Sequence, residues 1–339
     1  MALIHAATAA MVQIGDVVYV SSAPSLAGWS VTVTTKKQTR SVSLTRVQVG
    51  EPIDADAFLV VAPREETLAL ARLYADAMRG HPVLLAPGGV AVVESVDSIL
   101  RAQSADHSLV AQLPGYLITG QVDADTVAIW AVKQQFPVGA LHQGRTQDLV
   151  DLYNPWFPTL VPSSLVETTL SNTNNIIHPP TLLLNTARSD NGDAYHFYQD
   201  GMSAAVGRLI TAVDNERMQV LSHLGYRPQS VEALFHRYYG DTDTQHSPIA
   251  RLLSNNPALA DVWGPATLQH RYVSEDIVCG LAPLEHLAHQ LGIATPICTS
   301  VISTFSALLA TDLRETASQL IADSVLASVQ RNRIHVATP

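Results

Sequence analysis

Residues 165–185, LVETTLSNTNNIIHPPTLLLN, constrain the fold of this chain more than any other stretch. Read as one helix, they place Glu167, Ser171, Asn174 and His178 at steps of four, three and four, all on one face. The residues between them, among them Leu165, Val166, Leu170, Ile176 and Ile177, are apolar. A narrow polar stripe on an apolar helix implies a helix buried between layers, with one side lining a cavity. His178 is the group on that stripe able to move a proton near neutral pH. The competing reading is a hydrogen-bonded core histidine beside a kink or helix end set by Pro179 and Pro180.

A second stretch, residues 270–283 (HRYVSEDIVCGLAP), supplies Arg271, Tyr272, Glu275 and Asp276, followed by Gly280 and Pro283 as turn signals. A carboxylate from it folding back onto His178 would fix the tautomer of the imidazole and stabilise its protonated form. Arg271 is suited to clamp a substrate carboxylate through a bidentate pair, and equally to bond Glu275 one helical turn away. The order N-x-N-x-x-x-H-P (Asn172, Asn174, His178, Pro179) and then R-Y-x-x-E-D-I (Arg271, Tyr272, Glu275, Asp276, Ile277) resembles the octopine/opine dehydrogenase family. The resemblance runs from about residue 54 to about residue 316 and is strongest over 166–295. It implies that His178 and Asp276 match the family's catalytic His–Asp pair. It also implies a reaction that joins an amino acid to a 2-oxo acid and reduces the imine with NAD(P)H, and a homodimer through the helical domain.

The N-terminus departs from that family. A dinucleotide-binding domain opens with a short strand, a G-x-G-x-x-G turn and a helix, because backbone N–H groups must approach the pyrophosphate. Here the chain opens MALIHAATAAMVQIGDVVYVSSAP, and its first glycine, Gly15, stands alone. One alignment makes residues 2–14 the first helix and 16–21 the second strand. Another makes residues 3–6 a remnant first strand before a glycine-free turn. The second strand ends in Val20, Ser21 and Ser22, with neither the acid that holds ribose hydroxyls nor a base for a 2′-phosphate. No bound cofactor is therefore expected, and NAD(P)H is the expectation only if the chain is a conventional dehydrogenase.

Residues 29–49 alternate β-branched and polar side chains around a turn at 37–39 and read as a hairpin or two edge strands. Short apolar runs at 54–62, 82–86, 108–113, 127–132 and 139–141 read as strands, with helical periodicity at 64–79 and 92–103. Pro87, Gly88 and Gly89 form either a residual phosphate turn or an ordinary strand-to-helix loop. Prolines cluster at 154–164, and helices dominate beyond. Ser203 caps a helix to about 224 that stops at Gly225, with Asp214, Glu216 and Arg217 most simply on its solvated side, Arg217 being also able to reach inward. Further helices fall at 231–239, 283–291 and 296–325, with a polar loop or lid at 241–248 and a fraying tail at 330–339. Tyr195, His196, Phe197 and Tyr198 form an aromatic cluster that packs between helices or, by the resemblance, faces the domain cleft.

The formal net charge of −10 and only three lysines argue against nucleic acid as a partner. No apolar run is long enough for a membrane span, and the N-terminus lacks the features of a signal peptide. Cys279 and Cys298 read as reduced thiols of a cytoplasmic protein. His286 and His289, with Glu285, are too few for a metal site, and no G-x-S-x-G elbow marks a nucleophile.

The expected architecture is an incomplete α/β Rossmann-like sheet without the Gly-rich loop over residues 1–153, then an all-α domain of the opine dehydrogenase type over 154–339. The expected activity is acid–base chemistry by His178 and Asp276 on an amino-acid-like small molecule: C–N condensation, cyclisation, elimination or isomerisation, without NAD(P)H. Asn174, Arg271, Glu167 and Tyr198 would position the substrate. The alternatives are the conventional NAD(P)H-dependent opine dehydrogenase and a non-catalytic binding or scaffold protein.

Overall fold

A computed structural model describes residues 1–13, 15–102, 109–240 and 248–318. It divides into two compact units: Met1–Gly88 with Val92–Thr168, and Gly89–Ala91 with the chain from Thr169 onward. The division expected at 153/154 therefore moves to 168/169, because the chain beyond 153 adds one more strand to the first unit.

The first unit begins with helix α1 (Ala2–Ala10) and strands β1 (Val18–Ser21), β2 (Leu26–Thr34), β3 (Thr39–Gln48) and β4 (Phe58–Val60). Helices α2 (Arg64–Leu73) and α3 (Ala75–Met78) follow, then β5 (Val83–Leu85), α4 (Val92–Arg101), β6 (Val110–Gln112), β7 (Ile118–Asp123), β8 (Thr126–Val132) and β9 (Phe136–Ala140). Helix α5 (Thr146–Tyr153) and strand β10 (Leu160–Ser163) close it. The helix-first alignment of the N-terminus is the correct one. Residues 3–6 form no strand, and Leu3, Ile4 and Ala7 are buried where α1 packs on β1, β2, β3, β7 and β8.

The strands form two sheets of five, ordered β1-β3-β2-β8-β7 and β10-β9-β6-β5-β4. The expected hairpin is β2 and β3, antiparallel from Leu26/Arg46 to Thr34/Thr39. Its alternation buries Val31, Val33, Val42 and Leu44 on one face. Thr35 closes the turn, its hydroxyl accepting from the backbone N–H groups of Lys37 and Gln38. In the second sheet β4, β5 and β6 run parallel, and Phe58, Val60, Val83 and Leu85 build one apolar cluster with Leu68, Val93 and Val96 of the covering helices.

Each sheet ends in a strand with a single neighbour, β1 beside β3 and β4 beside β5. β1 bonds β3 through Val17 and Ser21, so the backbone groups of Val18 and Val20 point away from β3. β4 bonds β5 through Phe58 and Val60, so those of Leu59 point away from β5. The Val20 side chain packs against the cluster built by β4 and β5. Parallel strands with apolar side chains ordinarily lie inside a sheet. Strands β7 and β10 carry no clear alternation and were not foreseen.

The second unit is helical. The chain passes from α6 (Leu165–Leu170), which starts in the first unit, into α7 (Thr173–Leu184), α8 (Thr186–Asp190), α9 (Ala204–His223), α10 (Val231–Tyr239) and α11 (Ile249–Ser254). Then come α12 (Arg271–Ser274), a π-helix (Ile277–Leu281), α13 (Ala282–Gln290), α14 (Pro296–Leu309) and α15 (Leu313–Ser318). Helix α7 packs against α9, α10, α12, α14 and the π-helix. Ser203 and Gly225 bound α9 as expected: the Ser203 hydroxyl accepts from Val206 N–H, and Gly225 takes φ +88°. Among the described residues no helix is long and apolar enough to cross a membrane. The loop at 241–247 and the tail beyond 318, including the end of the expected 296–325 helices, lie outside the described residues.

Candidate active site

The single helix expected over 165–185 is two helices. Asn172, at φ −70° and ψ 100°, leaves helical geometry, and its side chain accepts from Asn174 N–H to start α7. The four-residue polar stripe is broken there. Glu167 stays with α6, where the Ser164 hydroxyl donates to its carboxylate at 2.9 Å and accepts from its N–H at 3.1 Å. The Ser164 hydroxyl thus caps the first turn of α6 and holds the Glu167 side chain. Pro179 and Pro180 sit within α7 and do not end it, since the helix runs to Leu184.

His178 is buried in the second turn of α7. Its Nδ1 lies 2.6 Å from Asp276 Oδ2, across 98 residues of sequence, and its Nε2 lies 2.7 Å from the Tyr198 hydroxyl. A carboxylate only accepts, so Nδ1 carries the proton, and the Nε2 of a neutral ring accepts from Tyr198. Tyr272 lies over the imidazole with ring centroids 3.9 Å apart, and Phe197 meets it edge-on at 5.7 Å. Each polar atom of a group this buried has a partner, as the cost of desolvation requires.

The segment carrying Asp276 is unusual. Asp276 N–H bonds Arg271 C=O and Leu281 N–H bonds Asp276 C=O, both five residues apart. This wide turn begins the π-helix, a feature common at functional sites. Gly280 faces α7: a Cβ there would meet the Asn175 side chain at 2.4 Å. The missing side chain lets the π-helix approach α7 closely enough for Asp276 to reach His178. Sequence reading marked Gly280 only as a turn signal.

Of the other candidates, Asn174 is half-buried one turn ahead of His178. Arg271 forms a forked contact with Glu275, both N···O distances being 3.4 Å, so the ion-pair reading of this residue is the one the structure displays. Burial pushes the Tyr198 phenol well above its usual range, with Tyr272, Tyr239 and Asp276 adding to the shift and Arg271 opposing it. Burial likewise lowers the neighbouring His270, helped by Arg271 and His178. Tyr272 escaped the sequence reading as a site residue, because nothing in its local pattern distinguishes stacking on His178 from core packing.

The solvated side expected for α9 is not solvated: Asp214, Glu216 and Arg217 are all buried. Arg217 donates to Asp214 and to the carbonyls of Leu170 and Gln229, while Asp214 also accepts from Val231 N–H. Glu216 accepts from the N–H groups of Ile297 and Cys298, the first turn of α14. Among the described residues no group of side chains is arranged to hold a metal.

Among the described residues of the first unit no G-x-G-x-x-G turn occurs. Gly15 faces open space, and β1 runs into Ser21 and Ser22 without a carboxylate. Gly88 is tightly enclosed, yet by the protein itself: a Cβ would meet the Gln112 side chain at 2.1 Å. The turn at 87–89 is thus explained by packing.

Residues 161–309 match the family described as NAD/NADP octopine/nopaline dehydrogenase, alpha-helical domain. An opine dehydrogenase of Arthrobacter sp. (strain 1C) is 28% identical over 265 residues, which cover 77% of this chain and 73% of that protein. A vitopine synthase of Allorhizobium ampelinum is 27% identical over 56% of this chain and 52% of its own length. Octopine dehydrogenase solved with NADH and L-arginine superposes with a TM-score of 0.70 at 15% identity, covering 91% of this chain and 86% of that one. Yersinopine dehydrogenase with NADP+ bound gives 0.64 at 14% identity, covering 89% and 87%. The chain resembles the octopine/opine dehydrogenase family, and its α/β and helical halves have the octopine dehydrogenase fold.

Proposed function

We propose that this protein carries out opine-dehydrogenase-type chemistry, the reductive condensation of an amino acid with a 2-oxo acid. The observation that carries this reading is the buried His178–Asp276 contact of 2.6 Å within a helical unit of the octopine/nopaline dehydrogenase type. Attack of an amine on a 2-oxo acid develops negative charge on the carbonyl oxygen and positive charge on the nitrogen. His178 can give a proton to the oxygen and take one back from the nitrogen, with Asp276 compensating the imidazolium. Arg271, released from Glu275, and Asn174 would orient a carboxylate-bearing substrate, and the chemistry is that of the relatives' names: opine dehydrogenase, vitopine synthase.

A second reading rests on the first unit. Its described residues carry no G-x-G-x-x-G turn, and on that reading the enzyme would stop at an unreduced condensation, cyclisation or isomerisation product. The relatives with NADH or NADP+ bound weigh toward the reductive reading. Both readings need His178.

The experiment is incubation of the purified chain with pyruvate, a panel of amino acids and NADH or NADPH, with products weighed by mass spectrometry. A product two hydrogens heavier than the imine is expected, and His178→Ala or His178→Gln should lower its rate by about 10²–10⁴-fold while the circular dichroism spectrum is kept. Wild-type rates in both folded variants would remove His178 from the reaction.

A further inference from the structure

We propose that the outer edges of β1 and β4 form one acceptor site for a further β-strand, an apolar segment that leads directly into α1 and joins the two sheets into one. Among the described residues β1 pairs with β3 alone and β4 with β5 alone. The backbone groups of Val18 and Val20 on one strand, and of Leu59 on the other, point away from those neighbours. Such edges are templates for another strand. Burial follows the same division. All three residues of β5, which has a neighbour on each side, are buried, whereas all four of β1 and Leu59 of β4 are only half-buried. Both edge pairings are parallel, and parallel sheets are ordinarily covered.

The two edges belong to one site. Val20 of β1 packs against the apolar cluster that holds Phe58 and Val60 of β4. Gly50, just past β3, donates its N–H to the Tyr74 hydroxyl at 2.8 Å, and Tyr74 lies in the same cluster. The sheet that ends in β1 is thus tied to the core beside β4. A strand between them bonds Val18 and Val20 on one side and Leu59 on the other, which takes about four or five extended residues. It meets the apolar cluster, so Val and Ile suit it best. Helix α1 fixes how the segment is connected. Two parallel strands need a crossover of about a dozen residues or more, usually a helix. Helix α1 and the turn after it lead into β1 in that way, and α1 packs against β1, β2 and β3. The β3 side of β1 is taken, so a strand that runs into α1 and lies parallel to β1 falls on the β4 side. The occupant is polypeptide joined to the N-terminal end of α1.

The test compares the full chain with the same chain extended ahead of Met1 by a probe of about five alternating valines and isoleucines and a Gly-Asn-Gly turn. A control extension carries proline at the central strand position, which cannot donate to a ladder. Amide hydrogen exchange is followed by nuclear magnetic resonance at Val18, Val20 and Leu59. The extension should slow exchange at these residues by about tenfold or more and raise the thermal midpoint, and the proline control should do neither. Leu59→Pro removes an N–H that points away from β5, so it should reduce the gain in the extended chain and leave the unextended chain nearly unchanged. Exchange unaffected by the extension, or slowed equally by the proline control, overturns the site. An equal loss from Leu59→Pro in both chains overturns the bonding to β4. Protection that grows with protein concentration in the unextended chain assigns the edges to a second copy and overturns the connection to α1.

Discussion

His5 shows how one buried side chain links stability to pH. Its Nδ1 lies 3.0 Å from the Met1 carbonyl, while Nε2 is buried without a partner. Burial lowers its pKa from 6.5 to about 4, with Met1 opposing and the N-terminus and Lys133 assisting. The folded state therefore binds fewer protons than the unfolded chain between pH 4 and 6.5. Stability is fully present above that window and falls as pH drops through it, by about 1.4 kcal/mol per pH unit at most. In His5→Leu, urea midpoints between pH 7 and pH 5 should fall less steeply than in the wild type. Arg217 makes a second case. It neutralises Asp214 inside the helical unit and occupies two carbonyls. Arg217→Met leaves a buried carboxylate unpaired and should cost about 3–5 kcal/mol in urea unfolding. Nothing in the sequence separated this pair from a solvated i, i+3 contact, because the inward turn of α9 depends on which neighbours surround it.

At the scale of elements, the contact between α7 and the π-helix decides whether His178 and Asp276 meet. A methyl group on Gly280 collides with Asn175, so Gly280→Ala should destabilise the protein by about 1–3 kcal/mol. The loss should be largely restored in the double variant with Asn175→Gly, giving a coupling energy well above the roughly 0.3–0.5 kcal/mol scatter of independent sites. Additive losses would mean the two side chains do not oppose each other. The expected 165–185 helix failed for a local reason: Asn172 prefers to cap, and a cap interrupts a periodic stripe that counting alone carries straight through. Glu167, counted onto the His178 face, instead accepts from the hydroxyl of Ser164, which caps α6.

On the scale of the whole molecule, the two units carry different parts of the family resemblance. The helical unit has the buried His178, Asp276 and Tyr198. The α/β unit has the strand-and-helix alternation, and among its described residues β1 and β4 are edge strands and no G-x-G-x-x-G turn occurs. Isothermal titration with NAD+, NADH, NADP+ and NADPH separates the two functional readings. Micromolar binding is expected if the reductive reaction operates, through a phosphate cradle built without the G-x-G-x-x-G turn. Silence at millimolar cofactor would leave the redox-independent reaction.

Much of this was legible from sequence. The hairpin at β2 and β3, the apolar strands β4 to β6 and the caps of α9 follow from periodicity and turn chemistry, which act over a few residues, while the pairing of His178 with Asp276 was what the family resemblance implied. What the tertiary structure alone decided lies in contacts between distant segments. It brought Tyr198 and Tyr272 onto the imidazole, turned Asp214, Glu216 and Arg217 inward, tied Arg271 to Glu275, and moved β10 into the first unit. A side chain's partners across 20 to 98 residues of chain depend on how elements pack, and packing is a property no local pattern contains.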